Sequence, residues 1–189
     1  MGHQPLAAGS RVKRLLTHDD PLVAAAAFLA VLLASNQPVY PLYVWLIAGE
    51  GAGRAAIVLA AVPVFLAVPL VARASGKAAR ALLPIAGILN TLLASWVMGP
   101  EAGLAAFFIP CAALGAVLFR RTERRAMIAI VAVSAAAWLL SETFAPGPFS
   151  PEAYASLRRM NALSAIALCG LIGWLTPPEP LPAPLPPPA

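Results

Sequence analysis

The sequence predicts an all-α, polytopic membrane protein: a six-transmembrane-helix bundle with both termini cytoplasmic. Three observations carry this expectation. First, hydrophobic residues make up 60% of the chain and charged ones 11%, and the mean hydropathy is +0.81, a composition that does not fit a soluble domain of 189 residues. Second, uncharged runs span 21–49, 55–72, 81–100, 102–119, 126–141 and 160–178, most of them near the ~20 residues that cross a bilayer core. Third, the basic residues are unevenly placed. Arg11, Lys13 and Arg14 precede the first run, Arg73, Lys77 and Arg80 separate the second and third, and Arg120, Arg121, Arg124 and Arg125 separate the fourth and fifth. Only Arg54, Arg158 and Arg159 fall on the other side. The positive-inside bias therefore sets the orientation.

The first run is too short for two crossings and a turn, which need roughly 40 residues. It reads as one long helix, capped by Asp20 with Pro21 at the first helical position. A cleaved signal peptide is disfavoured because "DDP" interrupts the junction and the apolar character continues past the small residues. The run ends in "SNQPVYPLYVW", where Pro38 and Pro41 lack amide donors and break the helix. Span two carries Pro63 and Pro69. Span three holds Asn90 near its middle, expected as an interhelical hydrogen-bond donor. Pro100 and Glu101 open span four, and Cys111 inside it packs as a small hydrophobe, as does Cys169 in span six. Span five ends at Ser141. Ser150, Pro151 and Glu152 open the helix leading into span six. Small residues such as Gly87, Gly115, Gly170 and Gly173 are expected at close helix contacts, because lipid supplies no hydrophobic drive for association.

The polar residues collect at one depth. At ~1.5 Å per residue from Pro21, Asn36 and Gln37 lie roughly 24 Å along the helix, in the outer half of the membrane. Tyr40, Trp45, Trp138 and Tyr154 fall near the same level. Tyr154, Arg158 and Asn161 share a helical face, and Trp138 and Glu142 are four residues apart. Two readings follow. In one, Asn36, Gln37, Glu101, Glu142, Arg158 and Asn161 line an outer vestibule with Tyr40, Trp45, Trp138 and Tyr154 as aromatic walls, and Arg158 pairs with an acid or awaits an anionic ligand or lipid headgroup. In the other, the aromatics form an interfacial belt and the charges snorkel to the surface.

Absences narrow the chemistry. No Asp, Glu, Lys, Arg or His lies in the middle of a run, so proton relays, ion-coupled transport and a lysine Schiff base have no carrier. His3 and His18 both precede the first run and offer no haem ligation. No catalytic motif, metal site or cofactor is expected. The pI of 9.9 reflects topology and anionic lipid headgroups, not nucleic acid.

The stretch "GPEAGLAAFFIPCAALGAVLFRRTERRAMIAIVAVSAAAWLLSE" has a short acidic outer turn, an apolar span, a basic "RRTERR" turn and a span ending in Trp-Leu-Leu-Ser-Glu. With its flanks, from Pro21 to Leu175, it resembles the six-transmembrane sensor or anchor module found N-terminal to class III adenylate cyclases, diguanylate cyclases and sensor histidine kinases. Glu101 and the turn from Thr122 to Arg125 carry the match. The resemblance implies a module that receives a signal or anchors an output domain. The expected organisation is a basic N-terminal segment at 1–20, a membrane domain at 21–175 and a disordered proline-rich tail at 176–189. Where the family has a helical coupling segment and an output domain, this sequence has "TPPEPLPAPLPPPA", and no output domain is expected from it. That leaves a separate subunit signalling through helix contacts, an accessory or assembly protein of another membrane complex, or a truncated sequence. The sequence thus predicts a non-enzymatic sensor or regulatory module of a bacterial-type inner membrane, with an accessory subunit as the alternative and a small transporter disfavoured. Its expected partners are membrane lipids and either other membrane subunits or further copies of itself.

Overall fold

The computed structural model describes residues 18–49 and 51–176. The basic residues at 11–14 and the proline-rich tail from 177 onward lie outside them. Helix α1, Pro21–Asn36, begins as expected: the Asp20 carboxylate accepts the Leu22 amide at 2.9 Å. The chain turns at Gln37 and Pro38 and continues as α2, Val39–Ala48, so the first span is broken at Pro38, while Pro41 lies within the first turn of α2. The next span starts as a 3-10 helix, Ala52–Ala61, and becomes α3, Val62–Ala72. Pro63 has no amide for the Leu59 carbonyl, which takes the Val62 amide instead and tightens the join.

Helix α4, Gly76–Met98, is capped by Ser75 and carries Pro84 in its interior. Gly99 ends it at φ 85°, and a second left-handed glycine, Gly103 at φ 73°, separates two short 3-10 turns, Pro100–Ala102 and Leu104–Phe107. Helix α5 is only Phe108–Val117. Span four therefore departs from the expected straight crossing, because Pro110 cannot donate to the Ala106 carbonyl and Gly103 redirects the backbone. A 3-10 turn, Arg121–Glu123, leads into α6, Arg124–Ser141. Helix α7, Pro151–Leu175, is capped by Ser150, whose hydroxyl accepts the Ala153 amide at 3.2 Å.

Among the described residues, four helical stretches are long and apolar enough to cross a membrane: Pro21–Ala48, Ala52–Ala72, Gly76–Met98 and Arg121–Ser141. Leu104–Val117 is apolar but shorter. Helix α7 is long, but Glu152, Arg158 and Arg159 occupy its first turns. No strand occurs among the described residues.

Helix α4 is the central post. It packs against α1, α3, the Ala52–Ala61 helix, α5 and α6, while α7 lies against α5, both short turns before it, and α2. Val23, Leu29, Phe65, Leu83, Phe108 and Leu114 form the core towards the basic-flanked end, and Val44, Val58, Met98, Leu104 and Leu157 form a second core at the other. Leu46, Leu89, Trp96, Leu139, Leu163, Ile166 and Trp174 stand exposed around the perimeter, the surface a bilayer would solvate. Gly115 is a close contact as expected, since a Cβ there would sit 2.7 Å from Ile130, and one at Gly87 would sit 2.9 Å from the Cys111 sulfur. Gly170 and Gly173 are not packing sites, with nothing within 4 Å of an added Cβ. Helix α7 packs through Tyr154, Leu157, Asn161 and Ala165 and leaves that face open.

Candidate functional site

The outer polar residues divide between two cavities. The first, of about 110 Å³, lies inside the bundle between the α1–α2 break and the middle of α4; Asn36, Gln37, Tyr40, Asn90 and Thr91 are its polar lining and Phe65, Leu83, Leu104 and Leu168 much of its apolar wall. Asn36 and Gln37 stand at the end of α1, immediately before the turn at Pro38. Neither side chain makes a hydrogen bond among the described residues. Asn90 does not act as the expected interhelical donor. Its Oδ1 is buried without a partner, and the reason is geometric, since α4 presents it to the cavities instead of to a neighbouring backbone.

The second cavity, of about 470 Å³, is lined by Pro100, Glu101, Gly103, Trp138, Glu142 and Arg158, among others. It is built by the irregular start of span four. Gly103 allows α7 to approach so closely that a Cβ there would lie 3.0 Å from the Arg158 Cα. Arg158 forms no ion pair with Glu101 or Glu142, and the Glu101 Oε2 is buried without a partner. The cavity thus holds both signs of charge with their pairing capacity unspent.

Asn161 links elements that border the two. It is 0% exposed, and its Nδ2 donates to the Tyr40 hydroxyl at 3.2 Å and to the Ala102 carbonyl at 2.8 Å. One side chain of α7 therefore ties α2, which borders the interior cavity, to the turn that borders the charged one.

A family model, MASE7, matches residues 16–174, nearly the whole described bundle. The chain belongs to the MASE7 family. It is a family of membrane-associated sensor-type domains, which agrees with the resemblance read from the "GPEAG" to "LLSE" stretch at the level of a membrane sensor module. No curated protein and no solved structure matches the chain.

Two of the expected site residues have other places in this MASE7 domain. Trp45 is 60% exposed and lines neither cavity; its neighbour Val44 is the residue that α2 buries. Tyr154 braces the connection ahead of α7: its hydroxyl donates to the Met98 carbonyl at 3.0 Å and accepts the Phe149 amide at 3.2 Å, and its ring meets Phe149 edge-on at 5.5 Å. The single shared vestibule expected from the sequence is thus two chambers, with Asn161 linking elements that border them.

A further pair escaped the sequence reading. Arg80, counted there as a loop cation, is buried in the first turns of α4. Its guanidinium donates to both carboxylate oxygens of Glu123, at 2.7 and 3.1 Å, and to the Leu118 carbonyl at 2.7 Å, and it lies over the Phe119 ring. The only signal was Glu123 itself, the single acid within "RRTERR". Among the described residues no group of three or more His, Cys, Asp or Glu side chains could hold a metal ion.

Proposed function

We propose that the chain is a non-enzymatic membrane sensor that receives a signal in the outer half of the bilayer and passes it on through helix contacts. In this reading it crosses a bacterial-type inner membrane six times with both termini cytoplasmic, and α5 and α7 are the two crossings whose length or apolar content is smallest. The observation that carries the reading is the Asn161 node, a buried polar residue joining three elements that border two cavities with unspent hydrogen-bonding and charge capacity. An occupant of either chamber that moves α2 or the Ala102 turn also moves α7. Differential contact with two arrangements is what a sensor needs.

The test places spin labels at Lys77 and Trp174, near the basic-flanked ends of α4 and α7, in protein reconstituted in nanodiscs with both cysteines replaced by serine. Asn161→Leu should shift the interlabel distance distribution, and Glu152→Gln should not. Superimposable distributions for all three proteins would reject transmission through this node.

A further inference from the structure

A third cavity, of about 130 Å³, lies on the lipid-facing side of α4 and is lined by Ala60, Ala61, Val64, Ala86, Leu89, Asn90 and Leu93. Asn90 is the one residue that lines both this groove and the interior cavity. The groove is apolar apart from Asn90, and Leu89 and Val64 on its rim are exposed on the perimeter. Its floor is alanine, which leaves depth between the helices. From Gly76, Asn90 lies ~21 Å along α4 at ~1.5 Å per residue, close to the level that Gln37 reaches along α1.

We propose that this is a lateral binding site for a neutral, single-chain amphiphile with a hydroxyl head, taken from the bilayer between α3 and α4. Its alkyl chain lies in the alanine-floored groove, and its head passes Asn90 and is held by the amides of the interior cavity. The chemistry of the linings selects this class. Neither lining contains a charged side chain, so an ionised head would lose its hydration with no counter-charge to replace it. The buried Asn90 Oδ1 lacks a donor, and an unsatisfied amide inside a membrane is destabilising. A hydroxyl supplies the missing donor. It also accepts, so it satisfies the amide whichever way round the Asn90 oxygen and nitrogen are assigned. Asn36 and Gln37, whose side chains are unengaged, stand across the cavity to take the second bond.

The inference rests on the sensor reading for its purpose but not for its test, which reads binding alone; the spin-label distances read transmission. The full chain in phosphatidylcholine nanodiscs is photolabelled with a dodecanol carrying a mid-chain diazirine, and the adducts are mapped by mass spectrometry. Labelling should concentrate on the segments around Val64 and Leu89, and excess dodecan-1-ol should compete at least tenfold better than dodecane or dodecanoate. Asn90→Leu should abolish the preference for the alcohol over the alkane. Ala60→Trp, at an exposed rim position remote from the polar end, should cut labelling at least fivefold by filling the groove. Labels spread over perimeter residues such as Leu139 and Leu163, equal competition by dodecane, stronger competition by dodecanoate, or wild-type labelling in both variants would each overturn the proposal.

Discussion

Removing Glu123 should be far more damaging than removing a typical ion-pair acid near a membrane surface. The Arg80 and Glu123 side chains are 6% and 17% exposed, with the closest contact at 2.7 Å. Glu123→Leu strands the guanidinium with the Leu118 carbonyl and the Phe119 ring as its remaining partners. Breaking one half of a buried pair costs about 3–5 kcal/mol, and because this site lies at the aqueous end of the bundle the lower figure, about 3 kcal/mol, is expected. Arg80→Met should cost less, about 1–2 kcal/mol, since the carboxylate keeps the Arg120 amide at 3.2 Å and can turn towards water. The double variant replaces the pair with apolar groups and should fall within about 1 kcal/mol of the wild type.

The corresponding cycle, read from reversible unfolding in mixed SDS and neutral-detergent micelles, should give a coupling of about 3–5 kcal/mol. Raising salt to 0.5 M should leave it nearly unchanged, because buried pairs are weakly screened. The nearby Asp20–Arg120 pair provides the contrast: the Arg120 side chain is 55% exposed, so its coupling should stay below about 1 kcal/mol and fall with salt. If the losses from Arg80→Met and Glu123→Leu simply add to within about 0.5 kcal/mol, the two side chains are independent, and the argument for a buried latch fails.

Gly115→Leu and Gly87→Leu should destabilise by about 1–3 kcal/mol through overpacking against Ile130 and Cys111, while Gly170→Leu leaves detergent unfolding unchanged; equal effects at all three would show that the helix contacts are misplaced. Tyr154→Phe removes bonds to the Met98 carbonyl and the Phe149 amide and should cost about 1–2 kcal/mol, with faster proteolysis within 142–150 as the accompanying readout. In intact cells a cysteine probe at Ser150 should react with an impermeant reagent and one at Thr122 should not; the reverse pattern would invert the proposed topology.

The parts of the fold legible in the sequence are those decided within one turn of helix. Asp20 before Pro21 and Ser150 before Pro151 cap helices because the donors they satisfy are two or three residues away, and Pro38 breaks the first span by a local lack of an amide. What the sequence hid is tertiary. Arg80 and Glu123 are 43 positions apart, and a basic residue beside an apolar run reads equally well as a topology signal. The sequence names most of the polar residues that line the two cavities as candidates, but not how they are grouped. Asn36 and Arg158 share a depth and a polarity, and only the bonds of Asn161 to two other elements decide that they face different chambers. Trp45 was assigned a wall by depth alone, whereas the packing of α2 buries its neighbour Val44 and leaves Trp45 exposed.

The two features missed by the sequence reading, the unpartnered Asn90 and the buried Arg80, lie on one helix and bear on each other. Arg80, Leu83, Gly87, Asn90 and Ala94 recur at three- and four-residue steps, so one face of α4 runs from the ion pair through the interior cavity. Along that face Asn90 is ~15 Å from Arg80. Between them stands Pro84, which cannot donate to the carbonyl of Arg80 four residues earlier. The helix is therefore least well tied at the residue whose side chain fastens it to the turn between α5 and α6. The fastening is itself incomplete, with the Arg80 Nε buried and unbonded. A straight, fully bonded α4 would spread a displacement at the cavity over its whole length. One with a missing bond beside Pro84 concentrates bending there, where a small change in angle moves the guanidinium against Glu123. Hydrogen bonds lose strength steeply with misalignment, so if the proposed sensor bends α4 beside Pro84, the Arg80–Glu123 pair is where that bend would be felt as lost hydrogen-bond geometry at the opposite end of the bundle.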